Sequence, residues 1–144
     1  MKLNLKKHQI LTLPAGLFKL LNAEVRKLTT PTKRLDAITF NFMDSNYSAS
    51  AGGYPPVEIR MEKVDDNQDS DCWKLIYITD FSYQGAHYPE LVKEIDVCFI
   101  SSRVYTLFGD WLNKRNGNEL LKLFIDNFIE YHSMGIYTVK VSFD

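Results

Sequence analysis

The chain has only two cysteines, Cys72 and Cys98, and three histidines, His8, His87 and His132. Both cysteines fall in strand-like segments. A hairpin between those segments sets Cys98 opposite about Ile76, which leaves the two sulfurs too far apart along the ladder to bridge. Two free thiols suit a reducing compartment, and the cytoplasm is the expected location. The histidines are scattered, with nothing at metal-ligand spacing, so neither a metal nor a cofactor is expected. Long apolar runs are missing as well. Pro14 and Lys19 interrupt the stretch from Ile10 to Leu21, no small-residue cleavage site follows it, and no segment approaches the roughly 18 apolar residues of a membrane span. Neither a signal peptide nor a membrane partner is therefore expected.

Net charge is also small, at −1 over 144 residues, which excludes a polyanionic nucleic-acid mimic. The balance hides an asymmetry. Residues 1–34 hold eight Lys/Arg (Lys2, Lys6, Lys7, Lys19, Arg26, Lys27, Lys33 and Arg34) against Glu24 alone, while residues 35–144 carry a net −8. A basic arm of this kind can contact nucleic acid. Its charges are spread among apolar positions, however, and docking of the segment on its own acidic body is the favoured reading.

What the chain does have is apolar periodicity and aromatics: 8 Tyr, 9 Phe and 2 Trp, with 45% hydrophobic and 24% charged residues. Those proportions belong to a globular domain and not to a disordered chain, and 144 residues suit a single one. Leu3 and Leu5 open a short extended segment. From Pro14, a residue suited to a helix start, Leu17, Leu20, Leu21, Val25 and Leu28 recur at helical spacing. This helix should stop before Thr29-Thr30-Pro31.

The period then changes to two. Ile38, Phe40 and Phe42, then Val57, Ile59 and Met61, then Ile95, Val97 and Phe99, then Tyr137, Val139, Val141 and Phe143 each alternate with polar neighbours. Such segments are half-buried strands. Trp73 to Thr79 is apolar on both faces and reads as a central strand, and Arg103 to Phe108 as an edge strand. Asn116 and Glu119 stand at capping-box spacing ahead of a second helix, with Leu120, Leu121, Phe124, Ile125, Phe128 and Tyr131 on its apolar face and Gly135 beyond its end. The expectation is a single α+β domain over 1–144, a two-layer fold with a mostly antiparallel five- to six-stranded sheet against two amphipathic helices.

The most specific pattern is an internal echo. Asp44, Tyr47, Gly53, Tyr54 and Pro55 precede one strand, and Asp80, Tyr83, Gly85, Tyr88 and Pro89 precede another. In an antiparallel meander both connections fall at the same end of the sheet. Two loops rich in tyrosine make a binding surface for a protein or a small ligand, because tyrosine gives a large amphipathic face at low entropic cost. The candidate residues are Asp44, Tyr47, Tyr54, Asp80, Tyr83, His87 and Tyr88. A structural role competes strongly, with the aspartates capping turns and the rings folded onto the sheet. His87 near Asp80 is the sole acid–base pairing, and no nucleophile motif accompanies it. A non-enzymatic binding module is the first expectation, nucleic-acid contact the second and a small enzyme the third. The alternating acids Asp65, Asn67, Asp69 and Asp71 resemble the start of an EF-hand loop, but Ser70 and Ile76 occupy the positions of its glycine and glutamate, so a solvated turn is expected. Oligomeric state is left open.

Tyr77-Ile-Thr-Asp-Phe-Ser-Tyr-Gln-Gly, followed by Tyr88-Pro-Glu-Leu-Val-Lys-Glu-Ile-Asp-Val-Cys-Phe, resembles a family of small bacterial proteins known as domain of unknown function 2787. Gly53-Tyr-Pro-Pro-Val-Glu-Ile-Arg and Phe128-Ile-Glu-Tyr-His-Ser-Met-Gly are similar too. The likeness covers roughly residues 35–144, and it implies no activity and no functional residue.

Overall fold

Strands that alternate apolar and polar residues need partners along both edges and a cover on one face, and the computed structural model supplies both. It describes residues 3–6, 10–28, 36–64 and 72–144. In chain order the elements are β1 (Asn4–Leu5), α1 (Ala15–Arg26), β2 (Ala37–Met43), β3 (Val57–Lys63), β4 (Cys72–Gln84), β5 (Glu90–Cys98), β6 (Arg103–Thr106), β7 (Asp110–Trp111), α2 (Lys114–Ser133) and β8 (Thr138–Phe143). The sheet runs β7-β6-β5-β4-β3-β2-β8, all antiparallel along this path, with β1 added parallel to β4. The fold is thus the expected α+β arrangement, with eight strands where five or six were expected. The additions are β1, a two-residue strand on the extended segment expected at Leu3 and Leu5, and β7, a two-residue piece too short for a periodic signal. The edge strand expected to reach Phe108 stops at Thr106, and β7 returns beside it.

Register explains the two layers. Val141, Phe40, Ile59, Ile78, Val97 and Val104 lie side by side across six strands, and all but Val141 are fully buried. The helices cover this face. From α1 come Leu17, Leu20, Leu21 and Val25, and from α2 come Leu121, Ile125 and Phe128. Each such side chain contributes roughly 1.5–3 kcal/mol when taken fully from water. Phe42 meets the Phe128 ring edge-on at 4.9 Å and the Tyr137 ring at 5.9 Å. The opposite face holds Ser142, Thr39, Arg60, Tyr77, Cys98 and Arg103 in one row and stays polar. On it the Tyr77 hydroxyl donates to Glu58 at 2.6 Å, and burial with this carboxylate pushes the phenol up to about 12.

Two bulges break the ladder. Between Leu75 and Tyr77, Ile76 is an extra residue on β4. Leu75 and Ile78 therefore both face the core, and Tyr77 turns outward with only partial burial. Strict alternation along β4 thus breaks at Ile76. The second bulge lies on β5, where Glu94 and Ile95 together oppose Asp80.

The helix ends differ in detail from the sequence expectation. Pro14 is the N-cap of α1 and not its first helical residue. The cap of α2 is Asn113, whose side chain accepts the Asn116 N–H at 2.8 Å, so Asn116 is the capped residue and not the cap. Gly135 follows α2 at φ 73°, a conformation a side chain resists. The segment to Leu28 is pinned through Asn22, which accepts the Leu3 N–H at 2.7 Å and donates to the Leu3 carbonyl at 3.3 Å.

Candidate functional site

The connection after β2 and the hairpin after β4 lie at one end of the sheet, as the meander requires. The two copies of the tyrosine motif fold differently there. In the first, Asp44 organises a loop: Oδ1 accepts the Asn46 N–H at 2.9 Å and Oδ2 accepts the Tyr54 N–H at 3.1 Å. Gly53, at φ 118°, sits so close that a Cβ would lie 3.0 Å from Asp44 Oδ2 and 3.1 Å from the Tyr47 Cα. The turn role anticipated for this aspartate is what its bonds describe.

The second copy is mostly strand. Asp80, Tyr83 and their neighbours belong to β4, which runs to Gln84 and leaves only residues 85–89 for the turn. This corrects the reading of Asp80 and Tyr83 as loop residues. Their composition reads as a turn, but pairing with β5 over Phe81–Gln84 holds them extended. Asp80 occupies a core position, in one row with Val139, Phe42 and Val57. The β5 bulge accounts for a carboxyl at this place. Ile95 keeps Thr106 of β6 opposite it but has no backbone partner on β4, and two β4 side chains take that place: Asp80 Oδ1 accepts its N–H at 2.8 Å, and the Thr79 hydroxyl donates to its carbonyl at 2.9 Å.

Beside Asp80, α2 and the sheet do not close completely. A cavity of about 210 Å³ lies between them, with Val57, Asp80 and Ile95 from the sheet, Phe124, Phe128 and Tyr131 from α2, and Tyr137 before β8 among its walls. Asp80 is 8% exposed, and no described Lys, Arg or His forms an ion pair with it. Burial pushes its carboxyl up to about 7, and the Glu94 charge adds to the effect against the opposing bond from Ile95. Tyr137 is raised far above an ordinary phenol, first by burial and then by Tyr131, Asp80, Asp44 and Tyr54 around it.

The other candidates divide around this cavity. Tyr54 leaves the loop and meets Tyr131 of α2 at 4.7 Å. Tyr47 and Tyr83 stack on each other at 5.3 Å. His87 and Tyr88 stand exposed on the hairpin, Tyr88 at 88%. The four tyrosines of the echo therefore do not ring one hollow, and no described hydrogen bond or ion pair joins His87 to Asp80. Reading the sequence missed Phe124, Tyr131 and Tyr137 as cavity residues. The available signal was the width of the α2 stripe, since Leu121, Ile125 and Phe128 already suffice to cover the sheet.

Elsewhere, Cys98 lies at the end of β5, beside Ile100 and Ser101. Burial pushes it up, but the Ser101 hydroxyl and the N–H groups of Ser101 and Ile100 outweigh that and lower it. Both cysteines are free. In the basic segment, Lys6, Lys19, Arg26 and Lys27 are exposed, with Lys27 paired to Glu24 at 3.1 Å. Lys2, Lys7, His8, Lys33, Arg34 and the acidic run 65–71 lie outside the described residues. Among the described residues no cluster of His, Cys, Asp and Glu could hold a metal, and no helix is long and apolar enough to cross a membrane.

A sheet backed by two helices, with a mostly apolar cavity beside Asp80 between α2 and the sheet, defines an α+β domain with a hollow of small-molecule size. The chain belongs to the family described as "Protein of unknown function (DUF2787)", whose model matches residues 15–142. It is similar to the hypothetical protein VC0508 from the VSP-II pathogenicity island of Vibrio cholerae, with 29% identity and a TM-score of 0.87 over 99% of this chain and 100% of that one. It is also similar to the conserved hypothetical protein VC1805 from pathogenicity island VPI-2 of the same species, with 27% identity and a TM-score of 0.75 over 96% and 99%. VC1805 is described as sharing structural homology with the human P32 protein. No curated protein matches the chain.

Proposed function

We propose that this protein is a non-enzymatic binding module whose ligand seats in the cavity between α2 and the tyrosine end of the sheet. The observation that carries the reading is the cavity itself: an apolar hollow of about 210 Å³ walled by a rigid strand floor and one helix. A dry engineered cavity of about 150 Å³ holds a benzene molecule, so this one takes a single ring or a short branched chain. Pockets of this kind, mostly apolar with a few convergent polar groups, are the usual form of small-ligand sites. Pro55 brings the β2–β3 connection to the cavity wall, Tyr54 of the same connection meets the lining residue Tyr131, and the Tyr47–Tyr83 stack lies at the same end of the sheet. His87 is exposed on the hairpin while Asp80 is buried, which favours a binding module over a catalytic pair. The two free thiols keep a reducing, cytoplasmic setting as part of the proposal.

The test is an amide-shift titration with small aromatic and branched aliphatic probes. Shifts concentrated on Asp80, Ile95, Phe124, Tyr131 and Tyr137, and abolished when Leu120→Trp fills the space, support the reading. Probes that leave these residues unmoved overturn it.

A further inference from the structure

We propose that the cavity selects an organic ammonium ion, a primary amine carried on one apolar ring or short chain, with Asp80 as its counter-ion. The inference rests on the cavity being the binding site, and it adds the charge of the occupant. Asp80 stands at a row position whose strand neighbours Val57, Phe42 and Val139 are apolar. It is 8% exposed and faces a hollow in which no described cationic side chain neutralises it. Buried carboxylates are ordinarily paired with a cation, and here the space for one is left open.

The rest of the lining suits the same guest. The rings of Phe124, Phe128, Tyr131 and Tyr137 all reach the cavity, and aromatic faces attract an ammonium by about 0.5–2 kcal/mol, more strongly when water is excluded. One carboxylate oxygen is held by the Ile95 N–H at 2.8 Å, which fixes the group in place before a ligand arrives. An anionic guest is disfavoured by Asp80 and by the Glu94 charge beside it. A phosphate or nucleotide would call for cationic donors, and the polar groups of the walls besides Asp80 are the neutral side chains of Asn127, Tyr131 and Tyr137.

The proposal has a pH signature. Around Asp80, β5 offers Glu94, the β2–β3 connection offers Asp44, Tyr47 and Tyr54, α2 offers Tyr131, and Tyr137 precedes β8. From β3 only the apolar Val57 faces it. Of these, Asp80 is the group pushed up to about 7. A cation therefore binds the ionised form, and affinity should rise about tenfold from pH 6 to pH 8 before levelling.

The probes are phenethylammonium and its neutral counterpart 2-phenylethanol, titrated by calorimetry against the wild type and Asp80→Asn. Asn keeps an oxygen for the Ile95 N–H and removes the charge, with an NH2 group in place of the second oxygen. Preferential binding of the amine, at least a tenfold loss in Asp80→Asn and the rise with pH support the proposal. A short peptide bearing one lysine, run alongside, tells a protein-borne ammonium from a free amine, and binding of either meets the prediction. Equal binding of amine and alcohol, unchanged in Asp80→Asn, overturns the ammonium inference and leaves the cavity as an apolar site. Binding of neither probe overturns both.

Discussion

If Asp80 holds its proton to about pH 7 because it is buried, the fold should be measurably less stable where that proton is lost, and Asp80→Asn should remove the effect. The ordinary carboxyl value is 3.8 and the folded one about 7, a gap of about 3 pH units at about 1.4 kcal/mol each. The native state therefore binds more protons than the unfolded chain between these values. The sign follows: the contribution is fully present below pH 4 and is lost as pH rises through 7, so stability falls with pH. The full range is about 4 kcal/mol, and water reaching the open side of the cavity reduces it, leaving about 2–3 kcal/mol between pH 5 and pH 8. Urea unfolding followed by the fluorescence of Trp73, which is 3% exposed, gives the comparison directly, provided the denaturant slope is the same for both proteins. Other titrating groups are common to the two and cancel. The wild type should lose about 2–3 kcal/mol more than Asp80→Asn across this range. Parallel curves would refute the argument, because they would show that the carboxyl ionises as freely folded as unfolded.

Three further substitutions probe the contact between the helices and the β2–β3 connection. Glu24 is 5% exposed and bonds His132 of α2 at 2.7 Å and Lys27 at 3.1 Å. His132→Ala should lower stability by about 2 kcal/mol, as for a hydrogen bond to a buried charged group, while Lys27→Ala, removing a side chain 68% exposed, should cost under about 1 kcal/mol in the same urea assay. Asp44→Ala strands two backbone N–H groups, those of Asn46 and Tyr54, and should cost about 2–3 kcal/mol and release Tyr54 from Tyr131, seen as loss of the shift differences between their rings by NMR.

How much of this could be read from the chain depends on whether the signal was local. The strands from Ile38, Val57 and Val139 are legible because each alternates, and α2 because its stripe is long. The order β2 to β5 followed from the meander, which also placed the two tyrosine connections together, whereas the position of β8 beside β2 had no signal in the chain. Asp80–Gln84 was misread because Asp, Ser and Gly near a tyrosine have the composition of a turn, and only the pairing with Glu90–Lys93 makes them strand. Bulges are invisible to a period-two count, so the outward turn of Tyr77 at Ile76 was missed for the same reason. The cavity was out of reach altogether. It is a gap between a helix and strands distant in sequence, and no single segment records how closely they approach.

Asp80 itself joins the fold to the proposed function. The β5 bulge demands an acceptor for the Ile95 N–H, and Asp80 supplies one at 2.8 Å. The amide oxygen of an asparagine would meet that demand without a buried charge, so the hydrogen bond alone does not call for a carboxylate. At neutral pH the acid makes the folded state less stable than the amide would, by the linkage worked out above. A fold that tolerates this cost beside an open, aromatic-lined hollow has a group poised to be neutralised from outside. A cationic ligand recovers the stability that the empty site lacks, so the same Asp80→Asn change should both stabilise the free protein at pH 8 and abolish stabilisation by an amine. Thermal melts with and without phenethylammonium measure both effects in one experiment, and a variant that gained stability yet still responded to the amine would separate the bulge from the site.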